Sequence, residues 1–532
     1  MTHPIDIPEI VANITLTKGD LFACIQVSHS WHNAFLATLW RHIHLKKSDT
    51  DSENNDALFQ SLQRRADLIH TLAVDSIYPK SDLHYLELYF PLLKQLDLGF
   101  VQSNCNDLPR KFARSFLFLH GSHLQSLTVR NMLETRSTIG YEDDALDEHS
   151  NWEVLDGCKS GALSRLCLKK VDLVFDDMDD GSRQMLMGLD TLILVSVAFT
   201  SSRSRIIPDF HRVPQWPHRL TGCKIRHLAM IDCVPVPDQY QLLLDCSQEL
   251  RSLEWKCLVY SSLAKFNPPL ARDLKAGHWK NLESLSLRMN SLGDEVLAEI
   301  LGAVGPLKDL VMGETAFGPS CTRALLDSDG GKHRATLESL SLSSCSNLEG
   351  SMVQEMLCSL PRLQRIRARE LTLQSIQEDP RPWVCLGLKD FRLALVIHSG
   401  DLTSQEQASS QQTAFLDRLA MLRSLEVLEL RRTFSLTGFN LYYQDLHLDK
   451  GLHRLWGLQN MRELRMIEQT GRRLGIEEAQ WMTENWPRLK TVYLWRTPST
   501  DSSDPVGSYF TDHGVKCYWK GVFPSQYNAW TF

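Results

Sequence analysis

The chain has 532 residues, 43% hydrophobic and 23% charged, with a net charge of −7. That is the balance of a folded protein, and it excludes wholesale disorder and any chain-wide attraction to nucleic acid or an anionic membrane. So long a chain exceeds what one compact core organises, so several domains or an elongated repeat array are expected.

The N-terminal stretch "MTHPIDIPEIVANITLTKGD" lacks the basic flank and apolar run of a signal peptide. The most apolar run, "LDTLILVSVAF" at 189–199, falls well short of the roughly 20 residues a spanning helix needs. A cytoplasmic or nuclear protein with no membrane partner is expected. The 13 cysteines form no C-x-x-C pair, which removes the usual signature of zinc and thioredoxin-like sites and suits a reducing compartment.

In "VSHSWHNAFLATLW", residues 27–40, Val27, Trp31, Phe35 and Leu39 recur every four positions and Trp40 follows. That spacing predicts a helix with one apolar face. A segment this short cannot bury such a face by itself. Two covers are open: a partner chain, or the first unit of whatever follows, which this segment would cap. His42 and His44 alternate in a strand-like run and read as exposed surface rather than metal ligands.

From Ile69 to Leu489 one phrase recurs: Leu, two residues, Leu, one residue, Leu. It is clearest in "LESLSLRMNSLGDEVLAEIL" (282–301) and "LESLSLSSCSNLEGSMVQEML" (337–357). The copies lie 24 to 39 residues apart, at and beyond the long edge of leucine-rich repeats, whose period is about 20 to 29. Leu285 and Leu287 alternate with polar residues and so point inward from a short strand. Asn290 and Cys345 stand where such repeats bury an Asn or Cys against turn backbone. The helix-like stretches that follow offer Val296, Ile300 and Leu301 in one repeat and Met352, Met356 and Leu360 in the other as buried faces. Strand, turn and helix in repetition predict a solenoid with a parallel sheet on its concave side. The polar stretches 134–150, 200–219 and 399–412 read as surface loops.

No phosphate-binding loop, dinucleotide fingerprint, H-E-x-x-H or G-x-S-x-G occurs, so neither an enzyme nor a cofactor is expected. The acidic "DDMDDG" at 176–181 places Met178 and Met187 where a calcium loop needs ligands, and reads as a solvated loop. On the outward strand positions, Arg365, Arg367 and Arg369 alternate along one strand, followed by Arg392, Arg431 and Arg465. Such a cluster suits an acidic or phosphorylated protein segment; the alternative is an ordinary charged surface neutralised by Glu370, Glu429 and Glu463. The aromatic tail "GVKCYWKGVFPSQYNAWTF" reads as a cap on the last repeat.

Residues 4–45 resemble an F-box, the helical module that docks a protein on the Skp adaptor of a cullin-RING ubiquitin ligase. The resemblance is carried by Pro8, Ile10, Val11 and Ile14, the Asp20-Leu21 pair, Cys24, Val27, Trp31, Leu39 and Trp40. The whole chain is similar in layout to F-box proteins with irregular leucine-rich repeats. The resemblance implies that Pro8, Ile10, Val11, Ile14, Leu21, Cys24, Val27, Trp31, Leu39 and Trp40 bind the adaptor. It also implies that the repeats hold a target for ubiquitination while catalysis belongs to another subunit. The expected fold is thus α/β: a small all-α module at 4–45, a leucine-rich-repeat solenoid at 46–497 and an aromatic tail at 498–532. A repeat scaffold with no ligase link stays open beside it.

Overall fold

The computed structural model describes residues 18–45, 55–77, 88–100, 108–132, 155, 157–158, 162–174, 180–200, 223–233, 249–256, 267–288, 292–327, 331–396, 405–431, 446–467, 474–494 and 505–519. The chain divides into two compact units, Met1–Phe266 and Asn267–Phe532.

In the first unit, strands β1 (His42–Leu45), β2 (Thr71–Ile77), β3 (Gln95–Phe100), β4 (Ser126–Met132), β5 (Arg165–Val174) and β6 (Thr191–Val195) pair in that order, all parallel. A short β7 (Ala198–Thr200) adds to the far end of β5, and β8 (His227–Ile231) and β9 (Ser252–Lys256) extend the sheet from β6. The leucine phrase sets the register. Leu72, Leu96, Leu127, Leu166, Leu192, Leu228 and Leu253 stand opposite one another across successive strands, each at most 2% exposed. Burying each such side chain contributes about 1.5–3 kcal/mol.

In the second unit, β10 (Ser284–Arg288), β11 (Asp309–Gly313), β12 (Ser339–Leu342), β13 (Arg365–Thr372), β14 (Asp390–Val396), β15 (Val427–Arg431), β16 (Glu463–Ile467), β17 (Thr491–Leu494) and β18 (Lys516–Trp519) pair consecutively, again all parallel. In most strands alternate residues are buried and half-exposed, which gives a closed face against the helices and an open face, while β14 and β15 bury residues on both faces. A helix stands between most strand pairs, the parallel crossover a solenoid repeats. Leu285 and Leu287 are buried as the spacing predicts.

Neighbouring repeats are also tied by side chains. The Cys345 thiol donates to the Met312 carbonyl at 3.0 Å, and Cys233 does the same for Leu194 at 3.3 Å. Burial pushes both thiols up to about 11, so they serve as donors. Asp294, first residue of the helix Asp294–Ala303, accepts from the backbone N–H groups of Gly318, Ser320 and Cys321 and so caps the next helix, Pro319–Asp327.

Four expectations change. The stretch 399–412 is not all loop: residues Gln405–Ala420 form a helix. Its buried side is Gln411, Phe415, Leu416 and Leu419, so a polar first half precedes an apolar anchor that the window to 412 cut off. In the helix Asp294–Ala303, Leu297 rather than Val296 joins Ile300 and Leu301 in the core. Past residue 497 the repeat pattern continues, because the helix Pro505–Asp512 buries Val506 and Phe510 and β18 pairs with β17. The stripe from Val27 to Leu39 is not one helix, as described below. Asn290 and the stretches 134–150 and 201–219 lie outside the described residues.

Candidate functional site

Two regions carry the residues expected to bind partners. The first is a pair of helices, Lys18–Val27 and His29–Trp40. Ser28 ends the first and caps the second, its hydroxyl accepting from the Trp31 N–H at 3.2 Å. That break puts Val27 and Trp31 on different helices, so spacing by four no longer makes them neighbours. Phe35, 2% exposed, is the centre of the pair, and Cys24, Ile25, Trp31 and Leu39 pack against it. The Trp31 and Phe35 rings lie 5.6 Å apart. Val27 is instead 65% exposed.

Thus Trp31, Leu39 and Cys24 serve the module's interior, and Val27 is the member of the predicted stripe turned to solvent. Trp40 is half-buried and ends the second helix, from which Arg41 leads directly into β1. The Arg41 carbonyl accepts from the N–H groups of His70 and Thr71, which ties the module to the first repeat. His42 and His44 are exposed as expected, and His44 lies 2.8 Å from Asp75. Leu21 lies in the first helix, while Pro8, Ile10, Val11 and Ile14 are outside the described residues.

The second region is the open face of β13–β18. One row of the register reads Arg367, Arg392, Glu429, Arg465, Tyr493 and Tyr518 on successive strands. Three repeats share an acid-x-Arg dyad: Asp390 with Arg392, Glu429 with Arg431, and Glu463 with Arg465. Residues two apart on a strand share a face, and in each dyad the arginine Nε donates to its own acid, at 2.6 Å for Arg392 and 2.5 Å for Arg431.

The dyads are not aligned. Asp390 stands opposite Val427, which stands opposite Glu463, whereas Glu429 falls between Arg392 and Arg465. That two-residue offset lets three guanidiniums share Glu429: Arg431 through Oε1, and the Nη1 groups of Arg392 and Arg465 at 3.7 and 3.6 Å from Oε2. Glu429, expected on the outward surface, is only 1% exposed beneath them.

The arginines foremost in the sequence are more dispersed. Arg365 and Arg369 are exposed and pair with Asp309 and Glu370 at 3.2 and 3.8 Å. Arg367 turns to Asp390 at 3.6 Å; burial lowers its pKa, helped by the neighbouring Arg392 charge. For Arg392, burial acts the same way, but bonding to Asp390 and the charge of Glu429 outweigh it and raise the value. Sequence reasoning missed the aromatic end of the row. Arg465 lies over the Tyr493 ring, 4.7 Å from its centre, and Tyr493 stacks on Tyr518 at 5.0 Å.

Among the described residues no group of His, Cys, Asp and Glu is placed to hold a metal ion, and no helix is long and apolar enough to cross a membrane. A comparison with protein-family models finds none that matches the chain, and a comparison with curated proteins finds no match either.

Proposed function

We propose that this chain is the target-receptor subunit of an SCF-type cullin-RING ubiquitin ligase: residues 4–45 dock the Skp adaptor, and the open face of the repeats holds the target protein. The observation that carries the reading is the helical pair, which resembles an F-box in sequence. It is small, is organised around Phe35, presents Val27 to solvent, and runs without a linker into the first strand of the repeat sheet. A receptor of this kind contributes proximity, since holding target and ligase together makes ubiquitin transfer effectively intramolecular. The chain itself needs no catalytic group.

Co-purification of the full chain with the Skp adaptor tests this. Val27→Glu alters an exposed side chain, so it abolishes adaptor binding while thermal unfolding stays as in the unmodified chain. Phe35→Ala removes the module's centre and abolishes binding through unfolding of the helical pair. Failure of the unmodified chain to retain the adaptor refutes the docking role.

A second reading is favoured by one specific feature. Because Trp31, Leu39 and Cys24 pack inward and Arg41 is hydrogen-bonded to the turn before β2, the helical pair also suits an end cap on a repeat scaffold with no ligase link. Under that reading Val27→Glu changes no interaction with the adaptor, because none exists.

A further inference from the structure

We propose that the edge of the second unit from which β13–β17 start is a peripheral docking surface for an anionic phospholipid membrane. Trp456, Met421 and Leu386 enter the interface, and arginines and lysines around them meet the headgroups. The proposal stands apart from the adaptor-docking reading and from the open face of the sheet.

The edge is built by repetition. Before each of these five strands the chain makes the same tight turn: the N–H groups of Leu363, Leu388, Leu425, Met461 and Leu489 donate to the carbonyl three residues back, at 2.9 to 3.3 Å. The two residues at the tip of such a turn face water. Side chains join neighbouring tips into a ridge, because Asn460 Nδ2 donates to the Arg423 carbonyl and Arg488 Nη1 to Asn460 Oδ1, each at 3.0 Å. Three large apolar side chains stand on this ridge. Leu386, at the tip before β14, is 52% exposed; Met421 and Trp456, just ahead of the next two turns, are 45% and 60% exposed. A Cβ at Gly457 would lie 4.0 Å from the Ala420 carbonyl oxygen, so the Trp456-Gly457 segment lies against Ala420-Met421.

Charge identifies the occupant. Residues 360–364, 385–389, 421–426, 454–462 and 486–490 hold seven cations and one acid, Glu426, in a chain whose net charge is −7. Glu426 pairs with Arg462 at 3.3 Å, and Arg454 with Asp417 of the preceding helix at 2.5 Å. Arg362, Lys389, Arg423 and Lys490 are exposed, with no side-chain partner among the described residues. Even with Asp417 and Glu484 on the helices that lead in, the edge keeps an excess of positive charge. The excess is local. Ahead of β11, Lys308 is neutralised by Glu283 at 2.7 Å, and the turn before β18 carries Asp512.

The expectation of no membrane partner rested on whole-chain charge and on the lack of a spanning run, and neither bears on this edge. At physiological salt only charges within about 8 Å of a surface act on it, so the ridge rather than the whole chain decides. Cations beside a protruding Trp match the headgroup layer, where amphipathic rings settle and Lys and Arg meet lipid phosphate. A nucleic acid would use the cations and the Trp456 ring but would leave the aliphatic Leu386 and Met421 in water. A row of separate turn tips also meets a fluid surface without a matching shape.

The test is sedimentation of the full chain with vesicles of phosphatidylcholine alone and of phosphatidylcholine mixed with phosphatidylserine. Each Lys or Arg near an anionic surface is worth about fivefold in affinity. Retention by the mixed vesicles is therefore expected to be at least about tenfold tighter than by phosphatidylcholine, and to weaken as salt is raised from about 0.1 to 0.5 M. The double variant Lys389→Gln/Arg423→Gln should lose about tenfold or more on the mixed vesicles, whereas Arg64→Gln, an exposed cation of the first unit, should change nothing.

Trp456→Ser leaves the charge intact and should lose about fivefold or more on the same vesicles; a merely electrostatic surface would show no change, and that result overturns the assignment to a lipid interface. Circular dichroism establishes that each variant is folded, and the vesicle comparison on the unmodified chain needs no variant. Equal retention by the two kinds of vesicle, or retention by neither, overturns the proposal and leaves adaptor co-purification unaffected. A single-stranded oligonucleotide bound more tightly than the mixed vesicles overturns it in favour of nucleic acid.

Discussion

Asp294→Ala probes how one repeat holds the next. The carboxylate accepts from the N–H groups of Gly318 and Ser320 at 2.8 Å each and from Cys321 at 3.0 Å, and all three would otherwise be unmet donors at the start of the helix Pro319–Asp327. Replacing a capping side chain by Ala costs about 0.5–2 kcal/mol, and a hydrogen bond to an ionised group contributes about 1.5–3 kcal/mol. Asp294 is half-buried, so water recovers part of the loss, and about 2–3 kcal/mol is expected for the variant. In a unit of this size that lowers Tm by about 4–12 °C.

The effect also has a pH signature. Burial pushes the Asp294 carboxyl up, but the bonds from Cys321, Ser320 and Gly318 outweigh it and hold the group below the ordinary carboxylate value. A depressed acid stabilises the fold above its unfolded pKa of about 3.9, and that contribution fades as pH falls toward the folded value. Asp294→Ala and the unmodified chain should therefore converge in stability as pH falls below about 4. Asp294→Asn keeps one acceptor oxygen and should lose about half as much at neutral pH. Scanning calorimetry at several pH values measures all three. A neutral-pH difference for Asp294→Ala below about 1 °C would refute the capping argument.

Two further outcomes follow from buried groups. His120 is 1% exposed among Tyr89, Phe90 and Phe116, bonds the Leu88 carbonyl at 3.0 Å, and is held by burial at about 4. Its unfolded value is about 6.5, so the unfolded chain takes up the proton first. Stability is then lost as pH falls from about 6.5 toward the folded value, by at most about 1.4 kcal/mol per pH unit. His120→Phe should flatten that slope in urea midpoints measured at pH values across the window, and an unchanged slope would count against it. At Gly350, a Cβ would lie 2.5 Å from the Thr372 backbone nitrogen, so Gly350→Ala should destabilise by about 1–3 kcal/mol in urea unfolding, although Ala is the better helix former. Stability equal to that of the unmodified chain would show that the strand end yields.

The repeat fold was largely legible because its signal is short-range and redundant. Each leucine phrase from Ile69 to Leu489 falls at a strand, since a period of two on a half-buried surface admits little else. The stripe from Val27 to Leu39 misled for the opposite reason. The spacing of four was real, but one residue, Ser28, makes a better cap than helix interior, and it divides the stripe between two helices. The helix at Gln405–Ala420 was hidden because its apolar positions all lie in its C-terminal half, beyond the polar window that read as loop.

The open face shows a deeper limit. The dyads Asp390-x-Arg392, Glu429-x-Arg431 and Glu463-x-Arg465 are plain in the sequence, and taken singly each is a self-neutralised pair of little consequence at a surface. What makes Glu429 a shared, buried centre is that its dyad is displaced by two residues against both neighbours. That displacement lies within the strands: the leucine phrase holds Phe391, Leu428 and Leu464 opposite one another, and Asp390 and Glu463 precede that position whereas Glu429 follows it. The same three dyads in register would give a ladder of acids beside a ladder of arginines, with no carboxylate facing two foreign guanidiniums and no converging tips. The arrangement of such a face is therefore written in where each polar pair falls within its leucine phrase, and it becomes legible only once the phrases are set side by side.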